Sequence, residues 1–416
     1  MTTAPPHVSP LSSPEPVPAA HRGCPVRKLA PDDELTGPPV ESVGEGAEKR
    51  WVIRSFEVAR QVMRDSESVR QAGFNADQIQ RASAKMRPPI LYLEGAPHRA
   101  QRKAAARFFA PKVTEDYREL MEELSAELVS RLRTDQPTDL SELSLEMAVQ
   151  VAARVIGLTN SSVQGMSRRL DAFFDGDVTG AGRDPRAMLK LALNRSTLLR
   201  FFYLDVKPAI RARRRRPRED VISQLLEQGF NDFEILTECV TYGAAGMATT
   251  REFITVAAWH LLSEPTLLAR YREAEMPERL AILNETLRLE PVIGHLYRRT
   301  TAPVTVPTAD GDQELAFGSL IDLDIRAINA EADTAGSEPL RLCPERELPR
   351  TVPPTVMSFG DGNHKCPGAP LAIMETEVFL TTLLRHDVVT DGEPRVRWNT
   401  VTQGYELDRF LLRLAS

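Results

Sequence analysis

The feature that most limits how this 416-residue chain can fold is the run from Asp232 to Leu262. The run is helical in pattern throughout and apolar on most of its faces. A helix of this kind has no polar side to turn towards solvent, so other elements must surround it. The run therefore predicts a central, buried helix in a larger helical assembly.

Helical patterns also dominate the rest of the chain. A strand at "RWVIRS", near Trp51, precedes a helix at "SFEVARQVMRD", and later short strands are predicted at "APVTVP", "LIDLDI" and "RFLLRL". The other helical stretches are "APHRAQRKAAARFFA", "TEDYRELMEELSAELVSRLR", "LSLEMAVQVAARVIG", "KPAIRARRRR", "REDVISQLLEQ", "TLLARYREA", "ERLAILNETLRLE" and Ala369–Arg385. We predict a mainly α fold with minor β content, built as a single large helical domain with small β-sheets.

The first forty residues differ from the rest in composition. Residues 1–40 are rich in proline and show little periodic hydrophobicity, which predicts a disordered or loosely draped N-terminal extension. Order is expected to begin near Trp51, and we assign residues 41–416 to one domain.

Charge and cysteine usage exclude several classes of function. The net charge is −6, from 58 acidic and 52 basic side chains, which argues against nucleic acid as a partner. No stretch approaches the ~18–20 apolar residues of a membrane span, and no secretory signal is visible. The four cysteines show no pair spacing, so we expect a reducing, cytoplasmic location.

One cysteine lies in an unusual setting, the stretch "SFGDGNHKCPGAPLA". Cys366 directly precedes a helical segment that has Pro370 in its first turn, where proline costs least. Backbone N–H groups and the helix dipole at such a position stabilise a thiolate, the form that binds metal. The nearby glycines allow close approach of a flat ligand to the backbone. An isolated cysteine among glycines is more often structural, so the assignment depends on the whole string.

The whole string resembles the haem-binding loop of the cytochrome P450 family, Phe-Gly-x-Gly-x-His-x-Cys-x-Gly. The matching residues are Phe359, Gly360, Gly362, His364, Cys366 and Gly368. The resemblance implies the cytochrome P450 fold, with Cys366 as the axial thiolate ligand of the iron of haem b. It also implies that His364 lies near a haem propionate and that Phe359 packs against the sulfur loop.

Two further motifs resemble family signatures for structure and haem binding. "ETLR" places Glu285 and Arg288 at i,i+3, which alone indicates a surface ion pair. Its resemblance to the family's Glu-x-x-Arg implies a buried structural pair, with Arg346 of "CPER" as the third member. "HRAQR" resembles the family's His-x-x-x-Arg, which implies that His98 and Arg102 approach the propionates.

Another arginine is assigned to the propionates by its position alone. Arg298 of "YRRTTAPVTV" falls where the family has a propionate-binding arginine, and Arg299 remains an alternative. Together these residues would bring positive charge to the acidic edge of the haem.

The segment "TYGAAGMATTREF" lies in the middle of the central helix. Its small residues would ordinarily indicate close packing of helices. The segment resembles the family's oxygen-binding helix, which implies that Ala245 and Gly246 leave room beside the iron and that Thr249 organises water for proton delivery. The chain departs from the family at Ala248, where an acidic residue is usual, so hydroxylation is less strongly indicated than the fold.

The resemblance also predicts the lining of a substrate pocket above the haem. Besides the small residues of the central helix, this wall comprises Met86, Ile90, Leu91, Val292, Ile293, His295, Gln403 and Tyr405.

The implied function is oxidation of a small, natural-product-like molecule by O₂, most simply hydroxylation, by a monomer that takes electrons from a separate ferredoxin and its reductase. Such a donor would bind a basic surface formed by Arg99, Lys103, Arg107, Lys112 and Lys365. The basic run "RARRRRPRED" is interpreted as a solvated helix end. Two alternatives stay open: oxidation without oxygen insertion (aryl coupling, desaturation or rearrangement), and a non-catalytic haem-binding sensor.

Overall fold

The computed structural model describes residues 28, 37–74, 76, 87–162, 165–169, 196–308 and 310–415. Among the described residues, the first element of regular structure is strand β1 (Val40–Val43), which pairs antiparallel with β2 (Arg50–Ile53). Our expectation that order begins near Trp51 is therefore wrong. The short sequence of β1 has little hydrophobic pattern of its own and becomes a strand by pairing with β2.

Helices make up most of the regular structure, and the predicted helical patterns are confirmed. Within the described ranges the helices are α1 (Phe56–Arg64), α2 (Gly95–Ala105), α3 (Pro111–Glu115), α4 (Arg118–Val129), α5 (Leu140–Ile156), α6 (Lys207–Arg215), α7 (Val221–Glu227), α8 (Asp232–Gly243), α9 (Thr249–Ser263), α10 (Pro265–Glu273), α11 (Met276–Leu289), α12 (Ile325–Asn329), α13 (Ala332–Ala335) and α14 (Ala369–Leu384). Among these residues, no helix combines the length and the hydropathy needed to cross a membrane.

The strands form small sheets, as predicted. The remaining strands are β3 (Val69–Gln71), β4 (Thr138–Asp139), β5 (His295–Thr300), β6 (Val304–Thr308), β7 (Gly311–Leu315), β8 (Leu320–Asp324), β9 (Val388–Thr390), β10 (Arg395–Asn399), β11 (Gly404–Asp408) and β12 (Leu411–Leu414). The largest sheet has the order β1-β2-β8-β5-β3, with only β2 and β8 parallel. Strand β5 was not predicted, because its two adjacent arginines interrupt the alternation that marks a strand. The β10–β11 hairpin was also missed, although polar and apolar residues alternate in β10.

The predicted central helix is present, but it is interrupted once. Helix α8 begins with a capping box between Asn231 and Glu234, in which each side chain accepts a hydrogen bond from the other's backbone N–H. A π-helical turn, Ala244–Ala248, joins α8 to α9. Helix α9 is buried along most of its length and packs against α5, as an apolar helix must.

Two hydrophobic clusters meet at the cysteine loop, residues 358–368. The larger cluster lies among the helices, and Phe359 packs against it. The smaller cluster lies between the five-stranded sheet and α1, and it includes Met357. The loop is therefore held between the two packed regions.

Candidate functional site

Cys366 lies in a tight loop immediately before α14. Its backbone N–H donates to the carbonyl oxygen of Phe359 at 2.9 Å, which closes the loop. Its sulfur faces the backbone N–H groups of Gly368 and Ala369, at the start of α14. Two N–H groups directed at one sulfur stabilise its negative form.

In the absence of a bound metal, the pKa of the Cys366 thiol lies above its ordinary value. Burial raises this pKa, and the opposing effects of the Gly368 N–H, the Arg102 charge and the Ala369 N–H are smaller. The two N–H groups act in the expected direction, towards the thiolate, but in the metal-free protein the removal of the sulfur from water outweighs them. A metal cation bound to the sulfur would supply the remaining stabilisation.

The tightest approach in the cysteine loop is to the protein itself. Gly362 has a φ of +65°, and a Cβ there would lie 2.1 Å from the carbonyl oxygen of Met63, near the end of α1. Any other residue would be excluded by both backbone conformation and space. We predicted that this glycine allows a flat ligand to approach the backbone. The structure gives it a further role, because the absence of a side chain lets the cysteine loop pack directly against α1.

The two histidines predicted to lie near the propionates are in contact. The rings of His98 and His364 stack with centroids 4.1 Å apart, and His364 Nε2 lies 3.1 Å from Oε2 of Glu94. Burial, followed by the charges of His364 and Arg102, lowers the pKa of His98 to about 4. Without an acidic ligand beside it, His98 is therefore neutral at ordinary pH.

The two predicted arginines carry the positive charge of this region. Arg298, on β5, is only 5% exposed and donates to the Gln71 side chain and, at 2.9 Å, to the carbonyl oxygen of Tyr297. In the described part of the chain, no carboxylate lies within ion-pair distance of it, and burial lowers its pKa to about 10. Arg102 donates to the carbonyl oxygen of Lys365, inside the cysteine loop.

Small side chains face open space at the π-helical turn. Ala245 is exposed and Ala248 and Thr249 are partly exposed, although helices α8 and α9 are otherwise largely buried. The Thr249 hydroxyl donates to the carbonyl oxygen of Ala245 at 2.5 Å. A π-helical turn within an α-helix is often found at a functional site.

Gly246 differs from the other small residues of the turn in the direction it faces. A Cβ at Gly246 would lie 3.6 Å from the Cβ of Ala152, on α5, which is an ordinary contact. The space that this glycine leaves is therefore next to α5.

The donor set and the burial of these groups fit an iron porphyrin. The thiol of Cys366 has a raised pKa, and a bound cation would stabilise its negative form. Arg298 is a buried cation, and among the described residues no carboxylate is in contact with it. A buried charge of this kind is costly unless a charge of opposite sign pairs with it. A ligand with a central metal and acidic groups at its edge would satisfy both requirements.

Glu285, Arg288 and Arg346 form a buried ionic cluster. Arg288 donates to both carboxylate oxygens of Glu285, at 2.6 and 2.8 Å, and Arg346 donates to Glu285 Oε1 at 2.8 Å. The Cys343 backbone N–H adds a fourth bond at 3.0 Å. Arg288 also donates to the carbonyl oxygen of Asn329, so the cluster ties α11 to α12 and to the segment before the cysteine loop.

Three of the predicted pocket residues gather around an arginine that was not predicted. Arg326 donates to the carbonyl oxygen of Gln403 at 3.0 Å, lies 3.2 Å from His295 Nε2, and stands 5.6 Å from the Tyr405 ring. His295 Nδ1 lies 2.8 Å from Asp322. Both ring nitrogens of His295 are thus engaged, so this residue supports the wall between β5 and the β10–β11 hairpin.

The other predicted pocket residues lie on two segments. Ile90 and Leu91 form a single 3₁₀ turn with Tyr92, while Val292 and Ile293 lie partly buried between α11 and β5. Met86 lies outside the described residues.

The basic surface residues have the exposure that was predicted. The side chains of the proposed donor surface are all exposed: Arg99, Lys103, Arg107, Lys112 and Lys365. In the basic run of α6, Arg213 is buried against Asp220 and Arg214 pairs with Asp232. That run is therefore partly structural.

Sequence reasoning missed several buried carboxyl groups. Glu94 joins His364 to the Gln71 N–H, and it precedes the "HRAQR" motif by four residues. Glu238 and Glu375 are buried on α8 and α14, and burial raises their pKa values to about 7 and about 8. Each also has one carboxyl oxygen without a hydrogen-bond partner. A lone acid within an apolar helical run was the signal that could have identified both.

Comparison with known proteins agrees with this geometry. The family model described as "Cytochrome P450" matches residues 194–395. The chain is 28% identical to the cyclomarin C epoxidase CymV of Salinispora arenicola, over 69% of this chain and 70% of the relative. It is 24% identical to the mycinamicin IV hydroxylase/epoxidase of Micromonospora griseorubida, over 81% of this chain and 82% of the relative.

Solved structures show the same fold. The structure of P450BioI in complex with a fatty-acid-ligated acyl carrier protein superposes with a TM-score of 0.73 at 22% identity, and the match covers 90% of this chain and 95% of that one.

Proposed function

We propose that this chain is a member of the cytochrome P450 family of haem-thiolate monooxygenases and that it hydroxylates a small, natural-product-like molecule. Members of the family use haem, O₂ and a redox partner. The observation that carries the proposal is the pairing of a partly buried sulfur at the start of α14 with partly exposed small residues at the π-helical turn. We take the cofactor to be haem b.

We assign each residue a task that its contacts allow. Cys366 would bind the iron, and Arg298, Arg102, His98 and His364 would hold the acidic edge of the macrocycle. When bound, haem supplies O₂ activation, and a thiolate ligand favours cleavage of the O–O bond. The remaining tasks, which are orienting the substrate and delivering protons, belong to side chains of the pocket.

Thr249 is the group we assign to proton delivery. Its hydroxyl hydrogen is held by the Ala245 carbonyl oxygen, so the hydroxyl oxygen is left to accept a hydrogen bond from water. A water held in this way would be placed to carry a proton into the space beside Ala245. Ala248 beside it contributes no acid, so water and Thr249 would have to suffice.

We expect Thr249→Ala to divert electrons from product to peroxide. Loss of the hydroxyl removes the anchor for the proton-carrying water, and product formed per NAD(P)H should fall by about tenfold, less than the ~10²–10⁴ of a lost general acid because water can still enter. Peroxide and product are measured together during turnover with a ferredoxin system. Thr255→Ala is the control, since Thr255 also donates to a backbone carbonyl, that of Glu252. Unchanged coupling would remove Thr249 from the proton path.

Ala248→Asp tests whether the missing acid limits the reaction. A carboxyl at this partly exposed position would add a proton donor beside Thr249, and we expect the ratio of product to peroxide to change by about twofold to tenfold. Ala248→Asn is the matched control, because asparagine has nearly the same shape but no acidic proton. Equal ratios in the Asp and Asn variants would mean that the substitution at this position is neutral.

Ala248 also favours a second candidate function, an oxidation that inserts no oxygen. Aryl coupling, desaturation or rearrangement would leave no oxygen atom in the product, and the departure at Ala248 from the family's usual acidic residue is the reason to test for them. Turnover with ¹⁸O₂ separates the two candidates. Incorporation of the label supports hydroxylation, and an oxidised product without the label supports the alternative.

The redox partner and the setting complete the proposal. The exposed basic residues around α2 and the cysteine loop suit an acidic ferredoxin, because complementary charge accelerates association. We propose a monomeric enzyme in the cytoplasm, in keeping with its scattered cysteines. A screen of small molecules by spin-state shift is the most direct route to the substrate.

A further inference from the structure

Glu238 is a buried acid in which only one of the two carboxyl oxygens forms hydrogen bonds. Its Oε1 atom accepts from the Ile90 backbone N–H at 3.0 Å and from Gln101 Nε2 at 2.6 Å. Its Oε2 atom is buried and has no hydrogen-bond partner. The residue is 1% exposed, and in the described part of the chain no cation lies within ion-pair distance of it. A buried polar atom left in this way requires an explanation.

The location of Glu238 connects it to the proposed substrate pocket. It lies seven residues before Ala245, about two turns along the central helix, and Ala245 is the second residue of the π-helical turn that follows α8. Its bound oxygen holds the Ile90–Tyr92 turn, the segment predicted to form another wall of the pocket. Glu238 therefore lies where the central helix meets the Ile90–Tyr92 turn.

The bonding of this carboxyl group indicates what it can bind. Two N–H donors already occupy Oε1, so a further ligand must bind Oε2 as a hydrogen-bond donor. Burial disfavours the ionised carboxyl and raises its pKa to about 7. A positively charged N–H donor would offset this cost more than a neutral donor, since hydrogen bonds between charged groups are the stronger kind.

We propose that Glu238 is a specificity-determining residue that binds a positively charged N–H group of the substrate through its Oε2 atom. The substrate class is thus a small organic cation, such as an amine or a guanidine. This inference rests on the proposed function, because it takes the space beside Ala245 as the substrate site.

A matched pair of small molecules tests the inference. Benzylguanidine is a cation that keeps its proton and so does not ligate iron, whereas benzylurea has nearly the same shape without the charge. Binding of each to the haem-loaded protein is measured by calorimetry. We expect the wild type to bind benzylguanidine about tenfold more tightly or better, and Glu238→Gln to abolish this preference.

Glutamine is the appropriate replacement, because its oxygen can still accept from Ile90 and Gln101 while the charge is lost. Glu227→Gln removes an equal charge from the exposed end of α7 and should keep the preference. Equal affinity for the two compounds in the wild type, no binding of benzylguanidine, or a preference that survives Glu238→Gln would each overturn the inference.

The carbonyl spectrum of the same samples separates this failure from failure of the proposed function. A haem-thiolate band together with no preference for the cation would reject only the role of Glu238. Absence of that band from the wild type would reject the proposed function itself.

Discussion

Cys366→Ala should abolish the red-shifted carbonyl band that marks a reduced haem-thiolate centre. The sulfur is the sole side-chain atom that we assign to the iron, and the N–H groups of Gly368 and Ala369 stabilise it in place. Alanine leaves the loop backbone intact but provides no ligand. We expect complete loss of the band and of turnover, with either weak haem binding or a shifted spectrum typical of another ligand.

Cys343→Ala is the matched control for this experiment. Cys343 is also a partly buried free thiol, and only its backbone N–H contacts Glu285. This variant should keep both the band and the activity. A thiolate-type band that persisted in Cys366→Ala, or that disappeared in Cys343→Ala alone, would contradict the assignment.

Glu285→Ala should prevent the protein from folding around its haem. Removing this carboxylate would leave Arg288, which is fully buried, and Arg346 without their shared counter-ion. Breaking a buried ionic cluster from one side costs about 3–5 kcal/mol, a large part of the stability of a typical domain. We expect insoluble or haem-free protein, measured as haem content and as the midpoint of denaturant unfolding.

Glu57→Ala tests whether burial is the reason for that effect. Glu57 also pairs with an arginine three residues later, Arg60, but its side chain is 74% exposed. An exposed pair of this kind contributes about 0.5 kcal/mol or less. Comparable loss of stability in the two variants would show that the Glu285 cluster does not have the structural role we assign to it.

Local pattern predicted the helices well, because each one carries its own apolar stripe. It predicted the strands poorly where pairing determines the structure, as in β1, which depends on β2, and in β5, whose six residues include two arginines. Sequence spacing also placed Glu285 beside Arg288, since residues at positions i and i+3 are neighbours on the surface of a helix.

The contacts of the candidate site were less predictable, because they join residues far apart in the chain. The engagement of His295 by Asp322 and Arg326 depends on how β5 and β8 pair, and no local pattern reports that. The pKa of Cys366 was expected to fall on the basis of its helix terminus, yet burial, which only the packed structure reveals, has the larger effect.

The π-helical turn between α8 and α9 has a consequence for how this enzyme can change. Such a turn contains one residue more than an α-helical turn. The extra residue is accommodated within the turn, so α8 and α9 each present the same face to their neighbours as they would in a continuous α-helix without it. Loss of one residue from 244–248 would leave a continuous α-helix with both flanking faces still packed as before. Chain length can therefore vary at the proposed catalytic position without disturbing the surrounding core, which makes this turn a suitable place for redesign.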